Sequence, residues 1–339
     1  MKTLQTGYIE GVNLARTVGA IGIIVFHYGC HNGILSPYLC SYANDSWGRV
    51  LVAVFLTISG ACLARTYASD FEWKHYFGRR WKAIYPMFYL CYLFFFVEAA
   101  ISVGTWWKSG IPYYRFVYTL LGIDGYIAPL QPNFSLVGDW FLGPIIICYI
   151  LFPALLWLLK RIPYATSVIL LAGSWFIPYL PFFTGDPFQN LWTCVTVFYL
   201  GMLTAQSRTV LCSQPALWIS AAILALFLFV KIPFYGTLHM FGPILAGIAL
   251  FVTLVNVGRI CERNKPVKSV LSVLGKWSYP IFLVQHIVIL RVLVHWSGYT
   301  VATAVKGLLI AIVTSVLLAW TLTLVHERIL SFFSPEKAH

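Results

Sequence analysis

The chain of 339 residues is 60% hydrophobic and only 10% charged, and its formal net charge is +12. Soluble domains average about 25% charged residues, so this composition excludes a water-facing globular surface and predicts a chain whose outer surface meets lipid. A basic surplus would indicate nucleic acid in a soluble protein. Here the bases fall mostly in short segments between apolar runs, where membrane topology explains them, and we expect no nucleic-acid partner.

The apolar runs predict an all-α integral membrane protein of about ten transmembrane helices, since a span needs about 20 mostly apolar residues. With the N-terminus inside, most of the 23 Lys and Arg residues fall in cytoplasmic segments, so both termini are predicted to be cytoplasmic. The first run carries charge and no clean cleavage site follows it, so we expect it to stay as a span. In chain order the predicted spans are residues 9–28, 47–65, 83–103, 139–159, 164–182, 190–206, 214–231, 239–257, 277–296 and 301–326.

Two connecting segments differ from ordinary loops. Residues 66–82 mix aromatic and basic residues on the predicted cytoplasmic side, which is typical of an interfacial amphipathic helix leading into the third span. Residues 104–138 form a long outer connection, and a connection of this length usually has a function or carries short structure of its own. We predict that residues 1–339 form a single membrane domain.

The first span contains a permanent cation and a titratable imidazole. Arg16 and His27 are eleven residues apart, and at 100° per residue they share one helix face. A charge near the bilayer centre costs about 2.5–3.5 kcal/mol and is a functional-site hypothesis by default. The alternative is that Arg16 reaches the cytoplasmic headgroups and His27 lies in the outer ones. The shared face favours function.

Five motifs follow one another along the chain, beginning with "GVNLARTVGAIGIIVFHYG" around Arg16 and His27. Together they resemble acyltransferase family 3, the bacterial integral-membrane O-acyltransferases of envelope polysaccharides. The remaining four are "VFLTISGACLARTY" with Ser59 and Gly60, "YFGRRWKAIYPMFY" with Arg79, Arg80, Lys82, Pro86 and Tyr89, "DWFLGPIIICYILFP" with Trp140, Phe141, Leu142 and Pro153, and "LGKWSYPIFLVQHIVI" with Gly275, Ser278, Tyr279 and His286.

The chain departs from the family pattern at two points. Asp139 stands where many members have His before Trp-Phe-Leu, and the segment between Trp140 and Pro153 has no Glu, which some branches carry. The chain also has no room for the extracytoplasmic hydrolase-like domain of some members, so it resembles the stand-alone branch.

The resemblance implies a reaction at the bacterial cytoplasmic (inner) membrane. It implies transfer of an acyl group, most simply acetyl, from cytoplasmic acetyl-CoA to a hydroxyl of an extracytoplasmic or lipid-linked glycan. His27 would be the general base or carry a transient acyl group, and Arg16 would steady a coenzyme phosphate or orient the thioester. Arg79, Arg80 and Lys82 would bind coenzyme phosphates, and ordinary membrane anchoring is the alternative for these three.

The other candidate residues have open roles. Glu98 or Asp139 would orient His27 by accepting its second N–H. His286 needs a partner such as Tyr279 or a water, and a structural hydrogen bond is at least as plausible for it as catalysis. Ser59 lacks the sequence context of a nucleophile elbow, and Trp140 belongs to its motif without an assigned role. The aromatic residues of the outer connection would stack on sugars or form an interfacial belt: Trp106, Trp107, Tyr113, Tyr114, Tyr118 and Tyr126.

Several alternatives stay open. His27 and His31 could share a metal by their spacing, but Gly29 intervenes and no acidic third ligand is near, so we expect no metal. A transporter or flippase of glycan precursors or small solutes also suits ten spans with intramembrane charges, although no inverted repeat is visible. A scaffold in an envelope complex is a third interpretation. Besides acyl-CoA, the glycan acceptor and membrane lipid, a homodimer is left open, as is pairing of Cys30 with Cys40.

Overall fold

The computed structural model describes residues 7–103, 110–177, 180, 186–207, 211–232, 240–296 and 300–332. Within these residues the regular structure is helical, which confirms the predicted all-α class. The α-helices are α1 (Val12–His31), α2 (Ser36–Leu39), α3 (Trp47–Thr66), α4 (Trp73–Val103), α5 (Phe116–Leu120), α6 (Asp124–Ile127), α7 (Leu142–Arg161), α8 (Pro163–Phe176), α9 (Leu191–Thr204), α10 (Gln214–Phe229), α11 (Phe241–Cys261), α12 (Lys265–Trp296) and α13 (Val301–Phe332). Short 3-10 turns occupy Tyr113–Arg115 and Pro187–Gln189.

Seven of the described helices are long and apolar enough to cross a membrane, namely α1, α3, α4, α7, α11, α12 and α13. The chain is therefore a multi-pass membrane protein. Helices α8 and α9 have 14 residues each and α10 has 16. At 1.5 Å per residue these three are shorter than a hydrocarbon core of about 30 Å. The count of ten spans and the cytoplasmic placement of both termini stay predictions, although a helix lies in each of the ten predicted ranges.

Capping side chains mark several helix starts. Ser46 accepts the backbone N–H of Gly48 at the start of α3, and Asn190 accepts that of Trp192 at the start of α9. Ser213 accepts the N–H of Ala216 at the start of α10. Short polar side chains at these positions satisfy backbone donors that have no partner inside the helix.

The chain divides into two compact units by its contacts. The first comprises Met1–Phe71 and Pro144–Lys276, and the second comprises Glu72–Gly143 and Trp277–His339. In the first unit α3 is the central helix, with α1, α9 and α11 packed around it. One cluster of its buried apolar side chains consists of Ile9, Val12, Ala15, Val54, Ile58, Ala61, Ala205, Leu211, Phe251, Val252 and Val255.

Small residues bring the backbones of the first unit close together. A Cβ atom on Gly60 of α3 would overlap the carbonyl oxygen of Phe198 in α9, and one on Gly201 would overlap that of Thr57. At the start of α1, Gly11 has φ +83° and lies against the backbone of Val255 in α11. Close backbone approach through small residues is the usual way helices associate in membranes, where apolar surface gains little by leaving lipid.

In the second unit, the outer connection folds along α4 in its described part, residues 110–138. Three tyrosine hydroxyls of α4 donate to its backbone: Tyr85 to Leu121 O at 3.0 Å, Tyr89 to Leu120 O at 2.6 Å and Tyr92 to Phe134 O at 2.9 Å. Helix α13 also packs on α4. Residues 67–72 lie outside helices, whereas α4 continues without a break from Trp73 through Pro86. The predicted interfacial segment is therefore continuous with the third span over residues 73–82.

Candidate active site

Arg16 turns its guanidinium toward the interior of the first unit. Its Nη2 lies 3.6 Å from Sγ of Cys62 in α3. One turn further along the helix, Gly19 packs against the Phe55 ring, with 3.0 Å between the position of a Cβ and the nearest ring carbon. The half-buried Arg16 is therefore held against α3 by contacts on its own helix face.

His27 lies on the same helix, near its opposite end. Its imidazole is half-buried, and the ring centroid is 5.2 Å from that of Phe26. An exposed His31 ends the helix four residues later. Eleven residues of α-helix separate Arg16 from His27 by about 16 Å along the axis. The first helix thus carries two chemically different groups at two depths of the span.

Polar groups continue from Arg16 toward the start of α1. The Asn13 amide donates to the Tyr8 hydroxyl at 2.8 Å, and Thr17 donates to the Asn13 carbonyl at 2.8 Å. Burial raises the pKa of Tyr8, and the carboxylate of Glu262 adds to the rise. The Tyr8 hydroxyl therefore stays protonated at neutral pH and can donate a hydrogen bond.

Ser59 and Gly60 of the second motif have structural neighbours. The Tyr149 hydroxyl lies 3.4 Å from the Ser59 Oγ, which joins α7 to α3. Gly60 permits the close approach of α9. This part of the motif is therefore explained by helix packing in the first unit.

Asp139 and His286 come together in the second unit. One carboxylate oxygen of Asp139 and one ring nitrogen of His286 lie within 4.8 Å of each other, and both residues are half-buried. The Gly138 N–H donates to the Leu283 carbonyl at 3.3 Å, and the Phe141 and Phe282 rings meet edge to face at 5.5 Å. These contacts fix the start of α7 on the middle of α12.

Trp140 lies in this same turn. Its backbone N–H donates to the Asp139 carboxylate at 2.7 Å, and its ring meets that of Phe141 edge to face at 6.4 Å. The Asp139 carboxylate is therefore oriented by its own turn, and Trp140 contributes to holding it.

Glu98 and Tyr279 have partners of their own in the second unit. The Glu98 carboxylate pairs with Arg291 of α12 at 2.8 Å and accepts the Ser102 hydroxyl at 3.2 Å. The Tyr279 hydroxyl donates to the Ile84 carbonyl at 3.1 Å, near Pro86. Both contacts join α12 to α4. The Glu98 carboxylate is thus already paired with Arg291, and its predicted role in orienting His27 stays a prediction.

Arg79, Arg80 and Lys82 lie in the first three turns of α4. Arg79 and Lys82 are exposed and Arg80 is half-buried. The neighbouring rings of Trp73 and Trp81 are exposed, and Trp73 stacks on Phe77 at 5.9 Å. Exposed tryptophans beside cations are typical of a membrane–water interface. The position suits either membrane anchoring or phosphate binding.

Among the aromatic residues of the outer connection, Tyr113 and Tyr114 are exposed, and Tyr118 accepts the Gln131 amide at 2.8 Å. Tyr126 packs on Gly143, with 2.6 Å between its Cβ and the position of a Cβ on the glycine. Trp106 and Trp107 lie outside the described residues. Sugar stacking by this set stays a prediction.

Cys30 and Cys40 are free cysteines that lie near each other. The Cys40 sulfur also lies 3.6 Å from the Ser36 hydroxyl. Pairing of the two thiols stays open.

A cavity of about 570 Å³ in the first unit was missed by the sequence reasoning. Tyr8, Arg259, Arg263 and Lys268 are among its lining residues. Tyr8 lies more than 250 positions from the three basic residues, and each basic residue alone is an ordinary cytoplasmic-side residue under the positive-inside rule. The signal that could have found them is that their segments all fall on one predicted side of the membrane.

Comparison with known proteins gives one family. The sequence profile of the acyltransferase domain family matches residues 9–324, nearly the whole chain, and this range includes all five motifs. No curated protein and no solved structure matches the chain.

Proposed function

Because the chain belongs to acyltransferase family 3, we propose that it transfers an acyl group from acyl-coenzyme A to a glycan hydroxyl across the membrane. Acetyl-CoA is the proposed donor. An extracytoplasmic or lipid-linked glycan is the proposed acceptor, and the bacterial inner membrane is the proposed location. The match to the acyltransferase domain over residues 9–324 carries this proposal. It also favours group transfer over the transporter or flippase interpretation.

In the proposed reaction, the imidazole of His27 takes the proton of the acceptor hydroxyl. The hydroxyl oxygen attacks the thioester carbonyl, a C–O bond forms and the C–S bond breaks. The proton then passes to the sulfur of the leaving coenzyme A. An imidazole with a pKa near 6.5 suits both proton transfers at neutral pH. No oxidant or metal is required by this balance.

Arg16 has a supporting role in this proposal. It lies toward the end of the first helix that the sequence predicts to be cytoplasmic, and its charge is permanent. We assign it to the donor, where it would stabilise the negative charge that develops on the thioester oxygen or bind a coenzyme phosphate. The contact with Cys62 holds the guanidinium away from the lipid-facing side of α1.

The test is transfer of radiolabel from acetyl-CoA to glycan in membranes that contain the protein. We expect His27→Ala to reduce the transfer rate at least 100-fold, since a general base contributes about 10²–10⁴ in rate. His31→Ala is the matched control, because it removes an exposed imidazole from the same helix, and we expect its rate to equal that of the wild type. A His27→Ala variant that transfers label at the wild-type rate would remove His27 from the mechanism.

A further inference from the structure

The cavity lined by Tyr8, Arg259, Arg263 and Lys268 in the first unit has no part in the roles proposed for Arg16 and His27. It has a volume of about 570 Å³ and lies where α1, α10 and α12 begin and α11 ends. Small-molecule sites typically measure about 300–1,000 Å³, so the cavity is large enough for a nucleotide-sized ligand.

Three separate chain segments line this cavity. They include Tyr8 before α1, Gln214 at the start of α10, and Asn256 and Arg259 in the last turns of α11. On the predicted topology, all of these segments lie on the cytoplasmic side of the membrane. The cavity therefore opens on the side where the proposed acyl donor is available.

The charges of the lining favour an anion. Arg259, Arg263 and Lys268 supply three cations. Of the two carboxylates, Glu262 accepts the Gly11 N–H at 3.1 Å, and Glu10 lies 3.6 Å from the Arg259 Nε. Within the part of the chain that the structure describes, Arg263 and Lys268 form no ion pair.

The backbone adds to this positive potential. Helix α10 has 16 residues, and Gln214 in its first turn lines the cavity. A helix N-terminus carries about half a positive charge, which attracts phosphate oxygens. At α10 this dipole is the main contribution, because Pro215 has no N–H and Ser213 already accepts the N–H of Ala216. Arginine side chains match phosphate with a two-pronged hydrogen-bonding geometry.

The cavity also leads toward Arg16. Tyr8 lines it, and the Tyr8 hydroxyl accepts the Asn13 amide at 2.8 Å. Asn13 precedes Arg16 by three residues, or about 4.5 Å along the helix. A ligand held by its charged end in the cavity would thus have its remaining length directed along the polar face of α1.

We propose that this cavity binds the phosphorylated nucleotide end of the acyl-coenzyme A donor, with Arg263 and Lys268 as its main phosphate ligands. This inference rests on the proposed acyl-transfer function and specifies where its donor binds. It assigns the nucleotide to the first unit instead of to Arg79, Arg80 and Lys82, which then serve as anchors at the membrane surface.

The experiment is calorimetric titration of the purified full-length protein in neutral detergent with adenosine 3′,5′-bisphosphate and with acetyl-CoA. We expect Arg263→Gln and Lys268→Gln each to raise Kd about tenfold, the loss typical of one charge-assisted hydrogen bond. Both side chains are exposed, so we expect the substitutions to leave folding intact. Thermal unfolding without ligand checks this. Lys160→Gln is the matched control, since it removes one charge from the same unit outside the cavity lining, and its Kd stays unchanged.

Steady-state transfer gives a second readout. The same two variants raise KM for acetyl-CoA and leave kcat at saturating donor unchanged, because they act on a part of the donor remote from the thioester. An Arg79→Gln/Arg80→Gln double variant tests the alternative that these residues of α4 bind the coenzyme phosphates. If it weakens bisphosphate binding while the cavity variants bind like the wild type and transfer persists, the cavity assignment is overturned and the proposed function stands.

Two further results would also overturn it. If the wild type binds neither ligand and transfers no label, both the assignment and the proposed function fail. If the cavity variants change only the binding of anionic phosphatidylglycerol, measured in lipid nanodiscs of that phospholipid against neutral ones, the cavity is a lipid headgroup site.

Discussion

Arg16 brings a permanent charge into an apolar helix and places it 3.6 Å from a thiol, which is a weak hydrogen-bond partner. A charge with so weak a partner adds little to stability and is costly to bury. The position of Arg16 in the interior of the first unit is therefore better explained by chemistry than by folding.

This reasoning gives a prediction for Arg16→Met, which keeps an unbranched side chain and removes its charge. We expect the transfer rate to fall at least 100-fold, equivalent to about 2.7 kcal/mol of transition-state stabilisation, while the melting temperature stays within a few degrees of the wild type. Arg16→Lys should restore part of the rate, because the charge returns without the guanidinium fork. A parallel loss of stability and activity in Arg16→Met would instead indicate a structural role.

Asp139 and His286 act as a pair if their proximity in the second unit has a chemical purpose. We expect Asp139→Asn and His286→Gln each to lower transfer about tenfold, and the double variant to be no worse than either alone, because groups that act as one unit are not additive. The readout is kcat/KM in a double-mutant cycle. Independent effects that multiply to about 100-fold would show that the two residues act separately.

At the scale of elements, the first unit depends on close helix approach. Gly60 and Gly201 let α3 and α9 meet backbone to backbone, and Gly11 does the same for α1 and α11. Close approach is needed here because packing, and not burial from water, holds helices together within lipid. The Ser-Gly pair of the second motif is thus explained by the packing of helices.

Gly60→Val tests this dependence. We expect it to destabilise the protein by about 3 kcal/mol, because the added side chain overlaps the Phe198 carbonyl in a packed interior. Gly78→Ala is the control, since nothing lies within 4 Å of its Cβ position on α4 and alanine favours helix. Thermal unfolding in detergent gives the comparison, and equal melting temperatures for the two variants would contradict the packing argument.

At the scale of the whole molecule, the predicted topology puts the proposed acyl donor on one face of the membrane and the proposed glycan acceptor on the other. The positive-inside rule predicts that both termini and residues 259–268 are cytoplasmic and that the segment after α1 lies outside. The proposed function needs this orientation, because the donor cavity and the acceptor have to lie on opposite faces of the membrane.

Cysteine labelling tests the orientation. A variant whose only cysteine is Cys30, which is exposed, should react with an impermeant maleimide in intact cells. A cysteine-free variant carrying Lys160→Cys should react only after permeabilisation, since α7 is predicted to end in the cytoplasm. The opposite pattern would reverse the topology and remove the donor cavity from the cytoplasmic face.

What can be predicted from the sequence depends on how far apart in the chain the interacting residues lie. Helix positions and the common face of Arg16 and His27 follow from local periodicity, so they could be read directly from the chain. The pairing of Glu98 with Arg291 and of Tyr279 with the Ile84 carbonyl could not, because each joins residues nearly 200 positions apart. No local pattern encodes such a partner.

The sequence by itself determined the all-helical membrane class, the acyltransferase motifs and the charged face of the first helix, because composition and helical period act within a few turns. Only the tertiary structure decided that Tyr8, Arg259, Arg263 and Lys268 enclose one cavity, and that Asp139 lies beside His286. These groupings arise when helices distant in sequence pack at close range, and that packing is set by side-chain shape across the whole unit.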